Sequence, residues 1–187
     1  MASNSRLRLT LAGRRRTVAS LAAAAAVATT LLAGSTTASA NSDPHRTYEP
    51  VPPQDLAAGV YCAFPVHIDW IVNDEYAIIS TMPDGSTVLD VTGALIGSVS
   101  NVDTGKTIQV NASGPATVTV SPDGSTATSD ARGLVLLPGT NLTAFGFPSN
   151  LVVTSGAWQY TQESGLGALL AMSGTPHLLT DVCAALS

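Results

Sequence analysis

From Gly59 onward, apolar and polar residues alternate in short runs divided by turn formers, a pattern of β-strands rather than helices. In the run from Tyr61 to Val72, Phe64, Val66, Ile68, Trp70 and Val72 fall on one face and His67, Asp69 and Ile71 on the other. Further strands are expected at Tyr76 to Thr81, Ser86 to Val91, Ala94 to Ser100, Thr107 to Ala112 and Ala116 to Val120. A second group runs Gly133 to Leu137, Leu142 to Phe147, Leu151 to Ser155, Trp158 to Gln162 and Ala168 to Met172. Between them stand Pro83-Asp84-Gly85, Asp103-Thr104-Gly105, Ser113-Gly114-Pro115, Pro122-Asp123-Gly124 and Pro138-Gly139. Each supplies proline's fixed φ or glycine's positive φ where the chain must reverse. Strands at this spacing, without long helical patterns between them, predict an all-β domain. The expected architecture is an antiparallel β-sandwich, with a closed or partly open β-barrel as the alternative. A short C-terminal helix is expected where Leu178, Leu179, Val182, Cys183 and Leu186 recur at helical spacing, opened by Thr175-Pro176 or Thr180-Asp181. Pro-Asp-Gly-Ser-Thr occurs at 83–87 and again at 122–126, but its surroundings are not repeated, so it reads as a hairpin turn used twice.

The first forty residues follow a different pattern. Arg6, Arg8, Arg14, Arg15 and Arg16 precede an alanine-rich apolar run from Val18 to Ala33, and Ala38-Ser39-Ala40 follows. This order is that of an export signal, so 1–40 is read as a signal peptide cut after Ala40, on the general secretory or the twin-arginine route. The apolar run is about sixteen residues, short of the roughly 20 that a stable span needs, so no stable membrane anchor is expected. Residues 41–58 read as a poorly ordered leader, because Pro44, Pro50, Pro52 and Pro53 deny it helix and ladder hydrogen bonds. One domain, 59–187, follows.

Removing residues 1–40 changes the charge. Of the eight basic residues only Arg46, Lys106 and Arg132 lie beyond Ala40, against all thirteen acids, a formal balance of −10. Three scattered cations cannot neutralise a run of phosphates, which excludes the usual basis of nucleic-acid binding. Both cysteines, Cys62 and Cys183, lie in the exported part, and an even count in an oxidising compartment points to one disulfide between them.

Catalytic chemistry finds little support. His45 lies in the leader, His67 on a strand face and His177 beside Pro176. A triad of His67, Asp69 and a distant serine lacks the Gly-x-Ser-x-Gly turn that would support it. Asp74 and Glu75 are adjacent, hence on opposite faces if extended, and do not pair for glycosidic cleavage. Asp84 and Asp123 precede glycines and serve their turns, without the acid spacing of a calcium loop. Asp103-Thr104-Gly105-Lys106-Thr107 lacks the upstream glycine of a phosphate loop and reads as a hairpin. No catalytic residue, metal site or cofactor is therefore assigned. Trp158 and Tyr160 share a strand face and are the candidate ligand-binding pair, either stacking on a ligand or capping the core.

The stretch Asn101-Val-Asp-Thr-Gly-Lys-Thr-Ile-Gln-Val-Asn-Ala-Ser-Gly-Pro-Ala-Thr-Val-Thr-Val-Ser-Pro-Asp-Gly-Ser125, with Tyr61-Cys62-Ala63-Phe64-Pro65-Val66 and Thr180-Asp181-Val182-Cys183-Ala184-Ala185-Leu186, resembles a family of small secreted actinobacterial proteins of uncharacterised function. The resemblance implies secretion, a β domain and the Cys62 to Cys183 bridge, and no activity. Members tend to carry a glycine-rich Pro-Gly-Asp-like turn after the central strands, where this chain has Pro138-Gly139-Thr140. The expected function is that of a secreted, non-catalytic structural or adhesive domain. A module binding a cell-surface polymer, carbohydrate or small ligand is the alternative, and an extracellular hydrolase comes third.

Overall fold

The computed structural model describes residues 45–187. The signal peptide read at 1–40 and the first residues of the leader lie outside the described residues.

Twelve strands form two antiparallel sheets. In chain order they are β1 (Arg46–Tyr48), β2 (Gln54–Leu56), β3 (Val66–Thr81), β4 (Thr87–Asn101), β5 (Thr107–Asn111) and β6 (Ala116–Val120). There follow β7 (Thr126–Arg132), β8 (Val135–Pro138), β9 (Leu151–Ser155), β10 (Ala157–Glu163), β11 (Leu169–Ser173), β12 (His177–Asp181) and helix α1 (Val182–Leu186). The large sheet runs β1-β3-β4-β6-β7-β10-β11, with β2 on β3 and β5 on β4, and the small sheet runs β12-β9-β8. Neither sheet closes on itself, so the architecture is a sandwich rather than a barrel.

The spine is one long hairpin. Each of β3 and β4 joins two runs that periodicity alone separates, because β3 carries a bulge: the pairing jumps from Trp70 with Gly97 to Val72 with Ile96, leaving Ile71 unopposed. One extra residue inverts the parity of everything beyond it. Val66 and Ile68 face inward before the bulge, whereas Glu75 and Ala77 do so after it. Ile71 itself is 59% exposed. The same event recurs at Leu170 in β11 and Leu179 in β12, each passed over by its ladder and each about half exposed. Opposite Trp70, Gly97 makes room for the indole, since a Cβ there would meet the ring at 3.0 Å.

The repeated Pro-Asp-Gly-Ser turns close β3–β4 and β6–β7. In one, Asp84 Oδ1 accepts from the Ser86 N–H at 2.9 Å and its hydroxyl at 2.7 Å. In the other, Asp123 Oδ1 accepts from the Ser125 N–H at 3.0 Å, the Ser125 hydroxyl at 2.8 Å and the Ser121 hydroxyl at 2.6 Å. Gly85 and Gly124 take the positive φ, 87° and 71°, that such reversals need.

Four expectations are corrected. The proline-rich leader is ordered from residue 46: β1 pairs with β3 through Arg46 to Ile78, and β2 through Gln54 to Ile68. Pro50, Pro52 and Pro53 sit between these edge strands, where no ladder donor is needed. Side chains fasten it, with Asn73 bonding the N–H and C=O of Val51 and the Trp70 indole donating to Pro52 O at 3.1 Å. Leu142–Phe145 is a 3-10 turn ended by Gly146 at φ 88°, not a strand. Leu178 and Leu179 belong to β12, and α1 begins only after Asp181, whose carboxylate caps the Ala184 N–H at 3.1 Å. Cys62 lies in the turn before β3 rather than on a strand.

Two interiors result, one on each face of the small sheet. Leu151 and Val153 of β9 pack with Val66, Ile68, Val99 and Val110 of the spine and β5, and with Val182 and Leu186 of α1. The alternate residue Val152 packs with Ala131, Leu137, Phe147, Trp158 and Leu169. Cys62 and Cys183 form a disulfide with Cα atoms 5.3 Å apart and 121 positions of chain between them, at the edge of the first interior.

Candidate functional site

The two interiors do not meet flush. Where they approach each other, a cavity of about 200 Å³ is lined by residues of both sheets. Its floor crosses five adjacent strands in the order β3, β4, β6, β7, β10, through Trp70, Leu95, Ala116, Ala131 and Tyr160. Residues 134–136, at and before the start of β8, form its roof. Val51 and Gln54 close one end, so the expected loose leader is instead a wall of this site.

The cause of the gap is side-chain size. Ala116 of β6 and Ala131 of β7 are register partners in the middle of the large sheet, and both put only a methyl group on the cavity's floor. Ala112 and Gly114 add two more small residues at the rim. Close packing elsewhere in the domain rests on branched side chains, and methyl groups cannot reach the facing sheet.

No residue lining the cavity is charged. Its polar groups are the Gln54 amide and the hydroxyls of Ser129 and Tyr160, which face each other across β7 and β10. Burial pushes the Tyr160 phenol above its ordinary value near 10, and hydrogen bonding from Ser129 opposes the shift. Below that end, the Gln162 amide ties Pro138 O at 2.6 Å to Gly167 O at 3.0 Å, and Asn141 bonds both the N–H and the C=O of Leu169.

Of the two aromatics singled out in the sequence, only Tyr160 lines the cavity. Trp158 is 3% exposed, stacked on Tyr160 at 4.7 Å between ring centres and tilted against Phe147 at 6.4 Å. Such burial gives it no free face on which a sugar ring could stack. Its indole nitrogen has no hydrogen-bond partner.

The titratable residues are dispersed. His67 pairs with Asp55 of β2, Nδ1 to Oδ1 at 2.7 Å, on an exposed face, while Asp69 bonds the adjacent Trp70 N–H. Ser100 stands opposite His67 in the ladder, but its hydroxyl lies 3.0 Å from that of Thr107. Among the described residues no cluster of three or more His, Cys, Asp or Glu is placed to hold a metal, and no helix is long and apolar enough to cross a membrane. Asp123 is lowered to about 2, first by the Ser121 hydroxyl and then by Ser125, as befits a turn clamp. Glu75 is the exception, an acid only 6% exposed whose pKa is raised by desolvation. Sequence reasoning missed the alanine pair, which carries no local signal because alanine fits any element.

Comparisons with protein-family models, with curated proteins and with solved structures found no match.

Proposed function

We propose that this chain is an exported, non-catalytic binding module that takes a small apolar molecule into the cavity between its two sheets. The observation that carries this reading is an uncharged cavity of about 200 Å³, walled by both the leader and the core strands. An engineered apolar cavity of about 150 Å³ is enough to bind benzene, so the volume is adequate for a compact ligand. A hydrolase needs a base beside a nucleophile, and the imidazole of His67 faces Asp55 instead. Export is supported by the order of residues 1–40, by the disulfide and by the resemblance to small secreted proteins.

The test is a titration of the isotopically labelled protein with toluene and with 1-hexanol, followed by NMR. Saturable shifts are expected at the amides of Ala116, Ala131 and Tyr160. Ala116→Leu, which fills the floor of the cavity, is expected to abolish them while keeping the dispersed spectrum of a folded protein. The absence of saturable shifts with both compounds overturns the reading.

A further inference from the structure

We infer that the leader from Glu49 to Pro53 is a pH-sensitive strap: ionisation of the buried Glu75 carboxyl loosens it from β3 and withdraws the wall it gives to the cavity. The strap is a property of the chain itself and needs no ligand in the cavity.

The leader is attached on both sides of Glu75. The Glu49 N–H donates to Glu75 O at 2.9 Å, which extends the β1 register by one pair beyond Tyr48 and Tyr76. Two residues on, the N–H and C=O of Val51 are held by the Asn73 side chain at 3.0 and 2.8 Å. Asn73 and Glu75 alternate onto the same face of β3, and Val51 lines the cavity. The leader therefore crosses from the edge of β3 onto that inner face beside the Glu75 carboxyl. On the opposite side Glu75 is paired with Gly93, which has no side chain to offer.

The carboxyl is 6% exposed, yet among the described residues it accepts no hydrogen bond and meets no cation. Glu49, opposite it on the leader, is a second acid, while Asn73 and Ala77 of β3 and Val91 and Leu95 of β4 carry no charge. The cations are engaged elsewhere. Arg46 lies over the Tyr76 ring at 4.4 Å and bonds Thr92, Lys106 bonds Ser187 O, and Arg132 stands 3.9 Å from Asp130. Ionising Glu75 in this setting costs its hydration, and burial holds its pKa above the ordinary value.

Water is regained most cheaply by moving the leader. β3 is held to β4 along fifteen register pairs, whereas β1 and β2 each pair only three residues with β3. Opening of the strap is thus a local event that leaves the hairpin intact. The closed strap favours the protonated acid. It is tightest below the ordinary carboxyl value, loosens as pH rises through it, and is fully loosened above the raised one.

The experiment is hydrogen exchange followed by NMR at pH 3.5 and pH 7, read as protection factors so that the intrinsic pH dependence of exchange cancels. The probes are the Glu49 and Val51 amides and the Trp70 indole N–H, which donates to Pro52 O. Protection at all three is expected to fall severalfold from pH 3.5 to pH 7 in the parent and to stay level in Glu75→Gln. Asn73→Ala, which cuts the Val51 attachment, is expected to lower protection of the Glu49 amide and the Trp70 indole at both pH values, on the order of tenfold. Level protection in the parent overturns the pH-sensitive strap. A fall that survives Glu75→Gln assigns the response to another tie of the leader, such as His67 with Asp55 on the outward face, and overturns the role of Glu75. Unchanged protection in Asn73→Ala overturns the attachment through Val51.

Discussion

Val152 and Val153 are neighbours on β9, yet each belongs to a different interior. Val153 faces branched aliphatic residues of β3, β4 and β5, in a layer whose margin is sewn by Cys62 and Cys183. Val152 faces rings, Trp158 and Phe147, in a layer whose loops are held by side-chain amides such as Gln162 and Asn141. The first interior is restrained by a covalent link that acts mainly on the unfolded chain. The second depends on what it buries. The cavity opens along the seam between them, where neither device operates.

The largest expected effect separates the two directly. Replacing both Cys62 and Cys183 with alanine releases a 121-position loop, worth roughly 4–5 kcal/mol in the chain-entropy account. A fall of roughly 10–15 °C in the midpoint of thermal unfolding is expected by circular dichroism, with strand content retained at low temperature. Trp158→Ala comes next, at about 3–4 kcal/mol in chemical denaturation, because a buried ring is removed whose neighbours cannot collapse into its place. That loss is expected to be the same with and without the disulfide.

Val153→Ala and Val152→Ala sharpen the comparison further, each costing about 2 kcal/mol. In the Cys62→Ala/Cys183→Ala background, the cost of Val152→Ala is expected to add within about 0.5 kcal/mol, while that of Val153→Ala departs by more than this. An equal departure from additivity for both would mean that β9 transmits strain through its full thickness and that the two interiors are one.

The smallest effect depends on pH. Burial raises the pKa of Glu75 above its ordinary 4.5, so the folded state holds that proton more tightly than the unfolded one. The penalty for ionising it is absent below the unfolded value, grows as pH rises through it, and is complete above the raised folded value. Glu75→Gln is therefore expected to match the parent near pH 3.5 and to melt higher at pH 7. A melting difference that shrinks as pH rises would contradict the burial of this carboxyl.

Much of the fold was legible because turns speak locally. Pro83-Asp84-Gly85 and Pro122-Asp123-Gly124 closed hairpins where they were placed, and Cys62 met Cys183. Asp181 opened the C-terminal helix. What escaped was nonlocal. β7, Thr-Ala-Thr-Ser-Asp-Ala-Arg, has almost no apolar alternation, because it lies mid-sheet with small residues over the cavity and polar ones outward. The leader's order comes from Asn73, Trp70 and the edge of β3, partners that its own prolines do not announce. Of the candidate pair, Tyr160 reaches the cavity and Trp158 supports it from behind. Alternation along β10 puts both on one face but does not say which of them a facing sheet will cover.

The bulges at Leu170 and Leu179 govern how one molecule meets another. β11 and β12 end their sheets, and an unprotected terminal strand invites a second chain to zip onto its free backbone groups. In β11, Asn141 already occupies Leu169 and the bulge interrupts the next position, leaving three regular residues. In β12 the bulge leaves two on either side. Neither run reaches the about six or seven regular residues of a fibril-forming segment, so these two margins are guarded by backbone irregularity.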